Sequence, residues 1–448
     1  MNRPPTASQL AANTLDEAAI KRWQPRSEEG RPAPSLGIAA STGLPAERIS
    51  LSPPALVGNE LEYVKQCLDS TWISRGHFVE AFEQRFAELC GVNHAVAVCN
   101  GTAALHVALL GLGVSPGDEV IVPSLTYVAT ANAVSYCGAT PVLVDSGSST
   151  WNLDPQAVAA AVTHRTVGII AVHLYGQPAD MDALSAIARR HGVFLLEDAA
   201  QAHGARYRGK SVGSLGDAGA FSFFGGKLVT SGEGGMIVTD DAGLAETAQR
   251  LRNHGHDPAR RYHVTQLGFN YRLTNLSAAI GLAQLEDYDW HVARRRANAA
   301  RYRSHLEGHP AVEMSRPAPE AQGVEWLTSV ALAEGTERER DWVMARLDEA
   351  GIETRPVFPP LHHQPIYRTR FARSLPVAER LGALGLSLPS GAGLSTQQID
   401  RVVDTLLHSI SEARQATVRY PASATTAPRD DAPRMRQWPA DRSRRTDR

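Results

Sequence analysis

Short, almost purely apolar runs recur along the middle of this chain: AVAVC (95–99), EVIVPS (119–124), PVLVD (141–145), GIIAVHL (168–174) and VFLLED (193–198). Strands that are apolar at nearly every position are buried on both faces, which is the situation in a parallel sheet covered by helices. The intervening segments fit that arrangement. FVEAFEQRFAELC (78–90) places Phe78, Phe82, Phe86 and Leu89 on one helical face. NGTAALHVALLGLG, TYVATANAVSYC and the stretch from Met181 to His191 read as further helices. Two more strands, GAFSFF and GGMIVTD, are joined by a glycine-rich turn that carries Lys227. The fold class is therefore α/β, with a mainly parallel sheet.

The pattern changes near residue 285. A long charged helix (about 286–306) leads into fewer, shorter strands, then ERERDWVMARLDEAG, IETRPVF and a final helix STQQIDRVVDTLLHSI. This predicts a large domain over 49–285 and a smaller C-terminal α+β domain over 286–412. Residues 1–48 are rich in Pro, Ala, Ser and charge without an apolar period, and 413–448 form a basic tail with nine Arg and no Lys. Both read as disordered.

Composition narrows the function classes. The formal net charge of −2 over 448 residues provides no whole-molecule field for nucleic acid or an anionic membrane. The four cysteines (Cys67, Cys90, Cys99, Cys137) form no CxxC pair and suit a reduced, cytoplasmic protein. No apolar stretch is long enough to span a bilayer, and no secretory leader is expected.

FFGGK has the look of a phosphate loop but lacks its spacing. Phe221 stands where the first glycine of a Walker A motif belongs, and Leu228 where Ser or Thr should follow the lysine. GEGG lacks the third glycine of a dinucleotide fingerprint, since position 237 is Ile. No HExxH is present, and His254/His256 and His362/His363 look too isolated from Cys or carboxylate clusters to hold a metal, so none is expected.

Three stretches remain, each at the carboxyl end of an expected strand, where open α/β sheets bind ligands. CNGTAALH (99–106) sets small residues at a helix start, which suits a phosphate, although Gly-Thr also occurs in ordinary βα turns. Asp198 follows an apolar strand. It suits a helix N-cap equally well as a partner for a protonated pyridine nitrogen. Lys227, in a water-poor turn, would be more easily neutral and nucleophilic, with Gly225, Gly226, Gly232, Gly234 and Gly235 letting backbone and cofactor approach closely and Ser222 donating to a phosphate; a solvated surface lysine is the plainer alternative. Together, phosphate cradle, aspartate and lysine are the three handles of pyridoxal 5'-phosphate.

The same residues resemble the DegT/DnrJ/EryC1/StrS family of sugar aminotransferases. The likeness runs from about Ile49 to Glu412 through WISRGHFVEAFEQRFA, CNGTAALH, GDEVIVPSLTYVATANAV, VHLYGQPADMD, EDAAQAHGA, FSFFGGKLVTSGEGGMIVTDD, GFNYRLTNLSAAIGLAQLE and ETRPVFPPLHHQPIY. It implies an aspartate-aminotransferase-like large domain (fold type I) and a homodimer with shared active sites. By the family pattern Lys227 forms the Schiff base and Asp198 pairs with the pyridinium. Gln201 lies near the phenolic oxygen, Thr102, Ala103 and Ser222 hold the phosphate, and Tyr127 stacks on the ring. Asn270 reaches the neighbouring subunit's phosphate, and His362 faces the substrate. STWISRG, TYVATANAV, VDSGSSTWNLDP and GEGGM most resemble members that aminate C4 of GDP-4-keto-6-deoxymannose, with an amino acid, L-glutamate by family habit, as donor. Keto-inositol aminotransferases, sugar 3-aminotransferases and sugar dehydratases share the scaffold. In the dehydratases histidine replaces the lysine, which Lys227 argues against. FSFFGGK departs from the family's FSFHxxK or FSFYGNK, a difference that bears on substrate selectivity, and the N-terminal extension has no counterpart in the shorter members.

Overall fold

The computed structural model describes residues 48–419 apart from 258, 261 and 369–373. Most of the two terminal segments read as disordered therefore lies outside the described residues.

Six parallel strands and one antiparallel strand form the main sheet. β1 (His94–Val98), β2 (Glu119–Pro123), β3 (Thr140–Val144), β4 (Thr166–Val172) and β5 (Phe194–Asp198) are followed by two short strands, β6 (Arg206–Tyr207) and β7 (Lys210–Ser211). Then come β8 (Ala218–Ser222) and β9 (Gly235–Thr239), and the sheet order is β1-β9-β8-β5-β4-β2-β3. β9 runs antiparallel to both β1 and β8, while the other neighbours are parallel. β2, β8 and β9 are buried at every position, as their unalternated apolar sequence requires.

Local chemistry sets the helix ends. The helix Met181–His191 starts where the Asp180 side chain accepts from the Ala183 N–H, and stops at Gly192 in the left-handed region with φ 64°. The helix His77–Cys90 buries Phe78, Phe82 and Phe86, while Leu89 is only half-buried. Its aromatic face meets the strand preceding the lysine turn: Phe86 lies 4.8 Å from Phe221 and Phe82 lies 4.9 Å from Phe223, both edge-on. The period-2 alternation of a strand explains FSFF. Phe221 and Phe223 enter this core, and Ser222 and Phe224 point to the other side.

After the helices Asn275–Glu286 and Tyr288–Leu306 come β10 (Val312–Met314), β11 (Ala321–Gln322), β12 (Ser329–Leu332), β13 (Arg355–Pro356) and β14 (Gly385–Ser387). Antiparallel order β10-β12-β14-β13 makes a second sheet, and β11 joins β6 and β7 in a third. IETRPVF contributes only the two residues of β13. The last helix, Thr396–Arg419, continues past the boundary expected at 412. One apolar cluster runs from Ile49 through the main sheet to Ala413, so the two regions share a core. Cys67, Cys90 and Cys137 are buried and Cys99 half-buried, all as free thiols.

Candidate active site

The carboxyl ends of β5 and β8 lie side by side, Asp198 pairing in register with Ala220. Asp198 is buried at 6 % exposure. Its Oδ2 accepts from the Thr130 hydroxyl at 2.8 Å, and its Oδ1 from the Ala200 N–H at 3.2 Å. Burial raises its pKa above the ordinary carboxylate value, opposed by the Thr130 and Ala200 bonds and by the charge of Lys227. Behind it, the fully buried Glu197 accepts from the Gly213, Leu215 and Gly216 N–H groups and bonds His173 Nε2 at 2.8 Å. Because His173 Nδ1 accepts from the Ala179 N–H, the imidazole is the Nε2–H tautomer and donates to Glu197.

Lys227 sits in the turn between β8 and β9, its N–H donating to the Phe224 carbonyl at 2.9 Å. The side chain is half-buried. Desolvation lowers its pKa to about 8, partly offset by the attraction of Asp198. The amine lies 3.9 Å from the centroid of the Trp326 ring. From Trp326 a wall of aromatics continues: Tyr175 stacks on it at 6.4 Å and on Phe358 at 5.2 Å, and Phe358 lies 5.6 Å from Tyr127. Tyr127 is 56 % exposed, so its ring has an open face. Gln201 is buried, and its Oε1 accepts from the Tyr175 N–H at 2.7 Å.

The helix Gly101–Gly111 begins beside these groups. A Cβ on Gly101 would lie 2.7 Å from Cβ of Ser222, so the helix start and the end of β8 touch. Asn100 caps the helix, its Oδ1 accepting from the Ala103 N–H at 2.8 Å. That bond occupies one expected phosphate donor, Ala103. Among the described residues the Gly101 and Thr102 N–H groups carry no hydrogen bond, as expected of a helix's first turn. Two free donors, the Thr102 and Ser222 hydroxyls and the helix dipole fit a phosphate. The Asp198 carboxylate fits a pyridinium, and Lys227 fits an aldehyde.

The glycines of the turn differ in what surrounds them. A Cβ on Gly235 would collide with the Asn100 carbonyl and the Gly101 nitrogen, so this glycine lets β9 pack against the helix start. One on Gly234 would strike the Ser231 hydroxyl, and Gly232 has φ 81°. Gly225 and Gly232 meet nothing within 4 Å. The Gly226 carbonyl accepts from both Ser52 Oγ and Trp326 Nε1 at 2.7 Å.

Two expected site residues have partners of their own. Asn270 is exposed, its Oδ1 accepting from Arg272 Nη2 at 3.1 Å, in the segment that runs beside the end of β1. His362 is buried, with Nδ1 2.7 Å from Ser124 Oγ and Nε2 3.1 Å from Glu379 Oε1, so both ring nitrogens are engaged within the protein. The isolation expected of His362 and His363 is also corrected. Glu379, from the helix Pro376–Leu384, brings a carboxylate within 4.8 Å of both imidazoles. Thr130, Trp326, Ser52 and Arg295 carried no motif. Thr130 alone had a signal, its place in the TYVATANAV run.

Residues 54–407 match the model of the DegT/DnrJ/EryC1/StrS aminotransferase family. The chain is 52 % identical over 362 residues to the GDP-perosamine synthase of Caulobacter vibrioides, covering 80 % of this chain and 97 % of that one. It is 43 % identical over 359 residues to the GDP-perosamine synthase of Escherichia coli O157:H7, covering 80 % and 97 %. Its fold superposes with a TM-score of 0.74 on S. venezuelae DesV solved in complex with a ketimine intermediate, at 43 % identity, covering 79 % of this chain and 94 % of that one.

Proposed function

The chain belongs to the DegT/DnrJ/EryC1/StrS aminotransferase family and is a pyridoxal-phosphate-dependent transaminase, and from that premise we propose that it aminates C4 of GDP-4-keto-6-deoxymannose to give GDP-perosamine, with L-glutamate as donor. The single observation that carries this substrate is the 52 % identity to a GDP-perosamine synthase over nearly that enzyme's whole length.

Each side chain of the site has a task in this reading. Pyridoxal phosphate, when bound, supplies the electron sink that makes a carbon–hydrogen bond beside nitrogen acidic. Lys227 would hold the cofactor through its side-chain amine. As a free amine it would take the proton from the donor's Cα and return one to the sugar carbon. With a pKa near 8, it exchanges protons readily around neutral pH. Asp198 holds the pyridine nitrogen protonated, oriented by Thr130 and the Ala200 N–H. Thr102, Ser222 and the first helical N–H groups anchor the phosphate, with Ala103 packing beside them. Tyr127 covers the ring, and Gln201, fixed on the Tyr175 N–H, faces its oxygen.

The enzyme acts as a homodimer with shared sites, Asn270 of each subunit reaching the other's phosphate. Exposed apolar side chains support this: Leu61, Leu68, Trp72 and Ile73 along one segment, Tyr262, Val264 and Leu267 along another. No helix among the described residues is long and apolar enough to cross a membrane, and a cytoplasmic location suits a nucleotide-sugar substrate. Residues 49–285 form the cofactor-binding large domain and 286–412 the small domain.

The test offers the enzyme, loaded with pyridoxal phosphate and L-glutamate, a panel of GDP-, dTDP- and UDP-linked keto sugars and scyllo-inosose. Mass spectrometry of the products should show amination of the GDP-linked sugar alone. Amination of only the inositol ketone, or of a 3-keto sugar, would replace this substrate assignment.

A further inference from the structure

Three parts of the chain that are remote in sequence converge on the residue preceding the lysine. Trp326 Nε1–H and Ser52 Oγ–H both donate to the Gly226 carbonyl at 2.7 Å. Ser52 in turn accepts from Arg295 Nη2 at 2.8 Å, and Arg295 Nη1 donates to the carbonyls of Trp326 at 2.8 Å and Ser390 at 2.5 Å. Arg295 is buried at 3 % exposure. A buried guanidinium with three acceptors is a rigid clamp, because releasing any of them leaves a desolvated polar group unpaired. The clamp fixes Trp326 from its backbone and Gly226 through Ser52. It thereby sets the indole face and the lysine turn in one frame, and in that frame the Lys227 amine stands 3.9 Å from the ring centroid.

We propose that Trp326 is a positioning residue for the cofactor lysine: its indole face holds the free ammonium of Lys227, and its Nε1–H holds the turn that carries it. The inference rests on the assignment of Lys227 as the cofactor lysine. It adds a resting place for that side chain in the half of the cycle when the amine is not bonded to the cofactor. An ammonium over an indole face is attracted by the ring quadrupole, most strongly where water is scarce. The ring therefore opposes the desolvation that drives the amine toward its neutral form. Other titratable or charged groups on the surrounding elements are Asp198 on β5, His203 in the turn after it, the Tyr175 hydroxyl and Arg295. Of these, Asp198 also favours the ammonium. Burial and the Lys227 charge push His203 down to about 3, which keeps it neutral.

The experiment uses the full chain loaded with pyridoxamine phosphate, in which Lys227 is a free amine. Competitive acetylation with trace acetic anhydride, read by peptide mass spectrometry from pH 6 to 10, gives the midpoint of Lys227. Fluorinated tryptophan placed at 326 keeps the bulk and the N–H but weakens the ring quadrupole. The midpoint should fall by about 0.5–1 pH unit. Trp326→Phe, which keeps a weaker face, should lower it by less, and serves where the fluorinated protein folds poorly. Ser52→Ala should leave it in place, since Trp326 still holds Gly226. An unmoved midpoint with fluorinated tryptophan and with Phe overturns the proposal. So does an equal fall in Ser52→Ala, which would make turn position rather than the ring the cause. Borohydride trapping of the protein loaded with pyridoxal phosphate separates the underlying assignment. An adduct on another lysine would refute the role of Lys227, whereas an adduct on Lys227 with an insensitive midpoint would refute only the role of Trp326.

Discussion

The hydroxyl of Thr130 donates to Oδ2 of Asp198 across 2.8 Å in a buried setting, and this bond works against the burial that would otherwise neutralise the carboxylate. Hydrogen bonds to charged groups contribute about 1.5–3 kcal/mol. Thr130→Val keeps the shape and removes the donor. Asp198 should then titrate higher, pair less well with the pyridine nitrogen and bind the cofactor roughly 10- to 160-fold more weakly by that energy. Titration of cofactor into the variant, followed by absorbance, measures this. Unchanged affinity would mean that Thr130 does not support the carboxylate.

Asp198 also predicts a pH effect on the cofactor-free protein. Its folded pKa lies above the unfolded value, so the folded state binds the extra proton. The stability this contributes is complete below the unfolded value of about 3.9 and is lost as pH rises through the folded pKa. At pH 7 the buried charge is a net cost. Asp198→Asn should therefore be no less stable than the parent at pH 7 without cofactor, while losing transaminase activity. Thermal melts at pH 7 and pH 4 would show the advantage of the variant shrinking with acid. A variant that melts lower at pH 7 than at pH 4, relative to the parent, would contradict this.

Glycines on either side of the lysine should respond differently to alanine. Gly235→Ala drives a methyl into the Asn100 carbonyl and the Gly101 nitrogen, where only backbone can yield. Overpacking of this kind costs about 1–3 kcal/mol, and here it also displaces the helix start that holds the phosphate. Gly225→Ala meets nothing within 4 Å and should stay within about 0.5 kcal/mol of the parent. Denaturant unfolding and cofactor titration of the pair would test this, and equal behaviour of the two variants would refute it.

Much of this was readable from local pattern. The helix Met181–His191 could be placed to the residue because Asp180 and Gly192 mark its ends, and buried strands announce themselves as unbroken apolar runs. Lys227, Asp198 and the Asn100–Ala103 turn were visible because each sits at a strand end, where periodicity breaks. Trp326, Ser52 and Arg295 were not visible, because their contacts with Gly226 and with one another span 31 to 243 residues and none has a local signature. The glycines were legible as points of close approach, but which backbone comes close, here the helix start against β9, is a tertiary fact that composition does not carry. The contact of His362 with Glu379, 17 residues on, belongs to the same class.

That contact leads to the last prediction. The sequence resemblance places His362 beside the substrate, yet Ser124 and Glu379 occupy both of its nitrogens. Ser124 directly follows β2 and stands three residues before Tyr127, and the Glu379 carboxylate also accepts from the Leu375 N–H and the Ser374 hydroxyl. His362 therefore ties the segment bearing Tyr127 to the helix Pro376–Leu384. His362→Leu breaks both bonds and leaves Ser124 buried without that partner, at about 1–3 kcal/mol. Stability should fall by that amount, and cofactor affinity should weaken with it as Tyr127 loosens. Glu379→Gln, which keeps an acceptor oxygen, should be milder on both counts. If His362 instead touched the sugar, His362→Leu would keep parental stability and cofactor affinity and raise only the KM for the keto sugar. Unfolding curves, cofactor titration and steady-state kinetics on the same preparations decide between the two.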